Sequence, residues 1–201
     1  TCSTTNPSSW TSTERFSHKG RFWNFENIIV EPPSAQKPHP PLWMAAGSPE
    51  SIRKVAKRGC NLLLDQFAQP EVIGERIAMF KAEIQAHGRV FDPLSVAVAR
   101  DVYVARDATD KQAALERNAR VRQRTIDVAR APGQTGGSHV LSYADSATGN
   151  EAAALYGNPD EIARKLEALK KAGVCYLLAS MGGGSRDSLR RFSREIAPNF
   201  R

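Results

Sequence analysis

The stretch PHPPLWMAAGSPESIRKVAKRGCNLLLD, Pro38 to Asp65, constrains the fold more than any other. Leu42 to Ala46 is a short apolar run, too short and too closely flanked by proline to be a helix. Gly47-Ser48-Pro49 turns the chain. Ser48 suits the N-cap of a helix, because its hydroxyl can accept a backbone N–H that the first turn leaves free. Pro49 suits the first helical position, where its missing N–H costs nothing. Ile52, Val55 and Ala56 then form one apolar stripe, and Gly59 fits the position just past the helix end. Cys60 to Leu64 is a second apolar run. The pattern is strand, helix, strand, and continuous apolar runs of this kind suit parallel strands buried on both faces.

The rest of the chain repeats the pattern. Gln69 to His87 predicts a helix with Val72, Ile73, Ile77, Phe80 and Ile84 as its core stripe. Ser95 to Ala105, SVAVARDVYVA, is the longest strand candidate. Thr109 and Gln112 resemble a capping box opening a helix that runs to about Arg130. Residues 132–157 are rich in Gly and Ser with little apolar period, and predict an excursion or lid. Asn158-Pro159-Asp160-Glu161 carries the signals of a capped helix start, followed by Ile162, Leu166 and Leu169. Cys175 to Ala179 is a strand. Gly182 to Gly184 turns into a last helix with Leu189, Phe192 and Ile196 on one side. Strands alternating with helices predict an α/β fold with a parallel sheet.

Upstream, Glu14 to Phe25 is rich in aromatic residues, Ile28 to Val30 is strand-like, and the Pro-rich connection that follows is extended. Residues 1–13 are Ser/Thr-rich, without period and without an initiator Met. They read as a disordered end or a truncated reading frame, and not as a signal peptide.

The 201 residues, 41% of them apolar, suffice for one sizeable core and at most two domains. The three cysteines, Cys2, Cys60 and Cys175, are too far apart for a metal motif or a disulfide framework. Cys60 and Cys175 each read as a small buried thiol at a strand start. A cytoplasmic protein is expected, and no apolar run is long enough for a membrane helix. The net charge of +7 leaves an anionic cofactor, an acidic substrate and nucleic acid open. Arg117, Arg120, Arg122, Arg124 and Arg130 carry the nucleic-acid reading. They are interleaved with Glu116 and Asp127 and lack stacking aromatics, so a solvated outer helix is the simpler expectation.

Four stretches together resemble the luciferase-like flavin-dependent monooxygenases: FSHKGRFWNFENIIVEPPSAQKPHPPLWMAAGSPESIRKVAKRG, SVAVARDVYVA, GNPDEIARKLEALKKAGVCYLLAS and SLRRFSREIAPNFR. The resemblance covers roughly residues 14–201 and implies the later half of a (β/α)₈ barrel, with four parallel strands and outer helices. A whole barrel takes about 250 residues. The resemblance also implies FMN, with reduced flavin supplied by a reductase, and oxidation of a small organic substrate with O₂. Relatives that use a deazaflavin coenzyme transfer hydride instead. A homodimer is the expected assembly of the complete protein. A non-catalytic half-barrel module is the reading outside enzymology.

The family holds the flavin phosphate at the turn after strand five, and Gly47, Ser48 and Ser51 occupy that place. Gly47 is expected to contribute backbone contact. The plain alternative for Ser48 is a helix cap. Asp65 and Gln66 end the following strand, where they either line a flavin or substrate pocket or lie on a solvated loop. Arg100 and Asp101 point to opposite faces of their strand, and Arg100 is expected to pair with an inward carboxylate. Trp10, Phe22 and Trp23 read as packing residues or a substrate wall. None of the four histidines, His18, His39, His87 and His139, matches the family's catalytic histidine, so no catalytic residue is assigned.

Overall fold

The computed structural model describes residues 15–37, 39–129, 153–181 and 186–200. The chain divides into two compact units, residues 1–42 and 43–201, so a boundary falls inside the stretch read as one domain.

In the first unit, β1 (Phe16–Lys19) and β2 (Asn24–Ile28) form an antiparallel hairpin, closed by a Gly20 N–H to Trp23 carbonyl bond of 2.9 Å. The second strand thus ends where the sequence suggested that a strand begins, at Ile28. Pairing across the Gly20 turn selects the earlier residues, and the prolines that follow cannot donate to a ladder. Phe22 and Trp23 are exposed within this unit.

The second unit is built on parallel strands. In order these are β3 (Trp43–Ala45), α1 (Pro49–Lys57), β4 (Asn61–Leu64), α2 (Pro70–Ala86), β5 (Val96–Val104), α3 (Ala108–Ala129), β6 (Leu155–Gly157), α4 (Pro159–Lys171), β7 (Tyr176–Ser180) and α5 (Arg186–Arg191). A π-helical turn (Phe192–Ile196) and a 3₁₀ turn (Ala197–Phe200) continue α5. Strands β3, β4, β5 and β7 are neighbours in that order, all parallel, as the sequence predicts. The outward-packed face follows the alternation of each strand. Leu62, Leu64, Val98, Val102 and Val104 are buried, and Val102, Val104 and Leu155 form one cluster with Ile162, Leu166, Leu169 and Ile196.

Local signals in the sequence explain the helix ends. Ser48 caps α1 in a reciprocal box with Ser51, and Asn158 caps α4 in a box with Glu161. Gly59 takes the left-handed backbone, φ +70°, that ends α1. Gly157 precedes the α4 cap at φ +151°, and a side chain there would collide with the capping carboxylate of Glu161.

Several expectations change. Helix α3 is capped by Asp107, whose carboxylate accepts the Asp110 N–H at 2.8 Å, so its start precedes the Thr109–Gln112 pair. A carboxylate two residues earlier is the stronger acceptor. The excursion over 132–157 ends in a strand: β6 pairs with the last three residues of β5, beyond those paired with β4 and β7. Three residues are too few to show a period. Residues 130–152, with His139 and Arg130, lie outside the described residues, as do Trp10 and 182–184. Val72 and Leu189 sit at the rims of their stripes and are exposed, whereas Ser188 is buried and accepts the Val104 N–H at 2.9 Å. Cys60 is buried, but Cys175 is exposed.

Helix α3 departs furthest from expectation. Helices α1, α2 and α4 accompany one face of the sheet, but Asn118 of α3 donates to Asp101 (3.2 Å) and to the Tyr156 hydroxyl (3.1 Å), which project from the other. The arginine-rich helix therefore packs on the inner face of the sheet rather than among the outer helices, while Arg117, Arg120 and Arg124 remain exposed, as expected of a solvated face. Its described apolar contacts are few and widely spaced, with Ala114 and Ile126 buried and Leu115 partly so, which gives it no strong stripe to read.

Candidate functional site

Parallel α/β folds bind ligands at the carboxyl ends of their strands, where the loops converge. Among the concavities that the described residues form at that end of the sheet, two share Gln66.

The first, about 500 Å³, is lined by Gly47, Ser48 and Ser51 after β3, by Asp65, Gln66 and Phe67 after β4, and by Ala45, Leu63 and Ala99 from the strands. Both groups of residues singled out in the sequence thus meet in one hollow. Its floor is apolar and its polar groups come from the two turns. The two serines are tightly coupled. The Ser48 hydroxyl accepts the Ser51 N–H at 3.3 Å, the Ser51 hydroxyl accepts the Ser48 N–H at 3.1 Å, and the two hydroxyl oxygens are 2.8 Å apart. The Ser51 hydroxyl also reaches the Ser48 carbonyl at 2.9 Å. If Ser51 donates to that carbonyl, Ser48 donates to Ser51 and keeps one acceptor site open. Ser48 is therefore a helix cap, and its hydroxyl proton is the one that can rotate outward to an anion.

Asp65 lines the hollow and at the same time holds its own loop. It accepts the N–H groups of Phe67 (2.9 Å) and Ala68 (3.0 Å) and pairs with Arg76 at 2.7 Å. Burial pushes its carboxyl up, but the two backbone donors and the Arg76 guanidinium outweigh it and hold the group below its ordinary value. Arg100 fixes the same loop from the helix side. Buried at 1% exposure, it donates to the carbonyls of Asp65 (2.8 Å) and Ala68 (2.6 Å). It faces away from the inner surface, on the side opposite to the inward one expected of it, and there it clamps this backbone. Gln66, between these anchored residues, lines both concavities.

The second concavity, about 280 Å³, was not legible in the sequence. Gln66, Asp101, Tyr103, Tyr156 and Ser180 line it from the sheet, and Arg117, Asn118 and Val121 from α3. The Tyr103 and Tyr156 rings lie 5.8 Å apart and the Arg117 guanidinium stands 5.5 Å over Tyr103. The Tyr103 hydroxyl donates to Asp110 at 2.9 Å. Burial first, and then Asp110, push that phenol up. The Arg106 N–H and guanidinium lead in pulling the Asp110 carboxyl down to about 2. Tyr156 is likewise raised, chiefly by burial. Both phenols thus stay protonated donors at neutral pH. The only trace of this site in the sequence is the alternation of β5, which puts Asp101 and Tyr103 on one face. Asn118, which bonds to both Asp101 and Tyr156, lies 17 residues from the first and 38 from the second. Among the described residues, no cluster of His, Cys, Asp and Glu is arranged to hold a metal ion. No described helix is long and apolar enough to cross a membrane.

Comparison with known proteins gives the same frame. The family model described as luciferase-like monooxygenase matches residues 8–175. The oxygenase component of a flavin-dependent trigonelline monooxygenase from Acinetobacter baylyi is 28% identical over 100 residues, 49% of this chain and 28% of that protein. Among solved structures, a monooxygenase from Streptomyces bottropensis superposes with TM-score 0.68 at 21% identity, over 96% of this chain and 57% of that one. An F420-dependent secondary alcohol dehydrogenase gives 0.68 at 18% identity, over 96% and 58%. The oxygenating constituent of 3,6-diketocamphane monooxygenase from Pseudomonas putida, in complex with FMN, gives 0.63 at 16% identity, over 96% and 60%. At these identities the superpositions speak for the fold alone, and the chain spans little more than half the length of these structures. The parallel strands and helices described above are part of a (β/α)₈ barrel, and the chain belongs to the luciferase-like monooxygenase family.

Proposed function

We propose that this chain supplies the later half of the barrel of a flavin-dependent monooxygenase, with residues 14–201 as that half, and that the Gly47–Ser51 turn holds the phosphate of FMN. The observation that carries this reading is the meeting of that turn with the loop after β4 in one hollow at the carboxyl ends of the strands. The donor set suits a phosphate through neutral groups. Pro49 has no N–H, and the capping box engages the amides of Ser48 and Ser51. Contact with an anion therefore falls to the Ser48 hydroxyl, the remaining amides of the turn and the positive end of the α1 dipole. No Lys or Arg lines this hollow among the described residues, and Glu50 beside it is paired with Lys54 at 2.7 Å. Ala45, Leu63, Phe67 and Ala99 offer an apolar wall to a planar ring.

Bound reduced flavin supplies the activation of O₂ that oxidises a small organic substrate. The protein's share is orientation and the exclusion of water. Asp65, held by Arg76 and backbone donors, keeps the Gln66 loop in place, and α3 roofs the inner face. A reductase would deliver the reduced flavin, in keeping with the name "oxygenase component" borne by a relative. A cytoplasmic homodimer is the expected setting.

The second reading is hydride transfer with a deazaflavin, which the F420-dependent structural neighbours favour. Titration of the protein with FMN, riboflavin and a deazaflavin coenzyme, followed by absorbance, tests both. FMN is expected to bind about tenfold or more tighter than riboflavin. Equal affinities remove the phosphate site, and preference for the deazaflavin selects the second reading. Absence of binding to all three, also in a protein completed to a whole barrel, leaves the non-catalytic module.

A further inference from the structure

We infer that Asp101 anchors a positively charged small molecule in the concavity beneath α3, so that this site selects a cationic organic substrate. The inference deepens the reading above, since it takes the carboxyl end of the sheet as the ligand-bearing end.

The argument begins with β5. Arg100 turns to the helix side, where it clamps the Asp65–Ala68 loop, so strand alternation sends the Asp101 carboxylate to the inner face. There its register partner is Ser180 of β7. Its hydrogen bond is to the Asn118 amide, at 3.2 Å to Oδ2. Three other acidic groups at this end of the sheet are committed to cations: Asp65 to Arg76, Asp110 to Arg106 and Glu161 to Lys111. Asp101 belongs to no ion pair among the described residues, although Arg117 lines the same hollow. Arg117 is directed instead over the Tyr103 ring.

The walls suit a cation as well. Tyr103 and Tyr156 present tilted rings beside the carboxylate. A carboxylate with aromatic faces attracts an organic cation by charge and by ring quadrupole together. Gln66 and Ser180 are neutral and can orient a polar substituent. The volume of about 280 Å³ accommodates a single ring. Asp101 is thus a specificity-determining residue that places the substrate beside the Gln66 end of the proposed flavin hollow, and it takes no part in bond making.

The test uses the 201-residue chain without flavin. N-methylpyridinium is titrated against toluene, its neutral isostere, by Tyr and Trp fluorescence and by NMR. The cation is expected to bind about tenfold or more tighter, and Asp101→Asn, which keeps an acceptor for Asn118, is expected to abolish that preference. Equal binding of the two probes, no binding of either, or an unchanged preference in Asp101→Asn overturns the inference. If the variant fails to fold, the comparison of the two probes on the unaltered chain decides alone. FMN and riboflavin titrations run in parallel separate the two failures: a flavin phosphate preference without a cation preference removes only this inference, and the reverse removes only the flavin site.

Discussion

The rings of Trp43 and Tyr176 meet edge to face, with centroids 5.7 Å apart and planes at 78°. They belong to β3 and β7, the two outer strands of the parallel sheet. The curl of the sheet brings these strands close enough for their side chains to touch across the inner face. Both rings remain more than a third exposed, as does Leu178 beside them. Among the described residues β3 pairs only with β4 and β7 only with β5, so two strand edges and an apolar face stand open. The isolated chain is therefore expected to self-associate, with an apparent mass by light scattering that rises with concentration. Leu178→Lys, which puts charge on the open face, is expected to reduce it. A monodisperse monomer at high concentration would show that the edges are protected.

Ser48→Ala separates a cap from an anion site. Loss of the cap costs about 1 kcal/mol of stability, seen as a lower urea midpoint. Loss of a hydroxyl donor to a phosphate weakens FMN binding by roughly 1.5–3 kcal/mol, about tenfold to a hundredfold in affinity, and leaves riboflavin unaffected. Equal weakening of both ligands makes Ser48 a cap and no more.

Asp65 makes stability depend on acid. Its folded value lies below its ordinary one, so the native state binds the proton less readily than the unfolded chain. The stabilisation is complete above the ordinary carboxylate range and is lost as the pH falls through the lower, folded value. Asp65→Asn is expected to flatten this part of the pH–stability curve and to cost roughly 2–3 kcal/mol at pH 7, because the charged Asp65–Arg76 contact at the base of this loop is lost. Urea unfolding between pH 3 and pH 7 measures both effects. A variant with the parent's pH dependence would place the titrating group elsewhere.

Gly157→Ala is expected to destabilise the chain by about 1–3 kcal/mol, through a strained backbone and displacement of the Glu161 carboxylate from the Asn158 N–H. Glu161→Ala combined with it should cost less than the sum of the two, because both act on one cap. Additive losses in denaturant would show that the backbone strain acts alone.

The sequence by itself determined what depends on near neighbours. Ser48 and Asn158 could be read as caps because a cap and its partner lie within one turn. The stripes Ile52–Val55–Ala56 and Ile162–Leu166–Leu169 could be read because helical period places them on one face. The four parallel strands followed from apolar runs alternating with those helices, and the Gly47–Ser51 turn followed from its place after a strand. Only the tertiary structure decided the rest. Strand β6 has three residues and no period, and it exists because β5 offers it an edge. Helix α3 lies across the inner face because Asn118 finds Asp101 and Tyr156 there, contacts that no local pattern encodes. Asp65, which the sequence left between a pocket wall and a solvated loop, lines the hollow and anchors its loop because Arg76, nearly two turns into the next helix, reaches back to it. The pocket around Asp101, Tyr103 and Tyr156 is assembled from segments distant in the chain. Such convergence depends on how the sheet curls and which face each strand presents, and these are properties of the packed sheet rather than of any one segment.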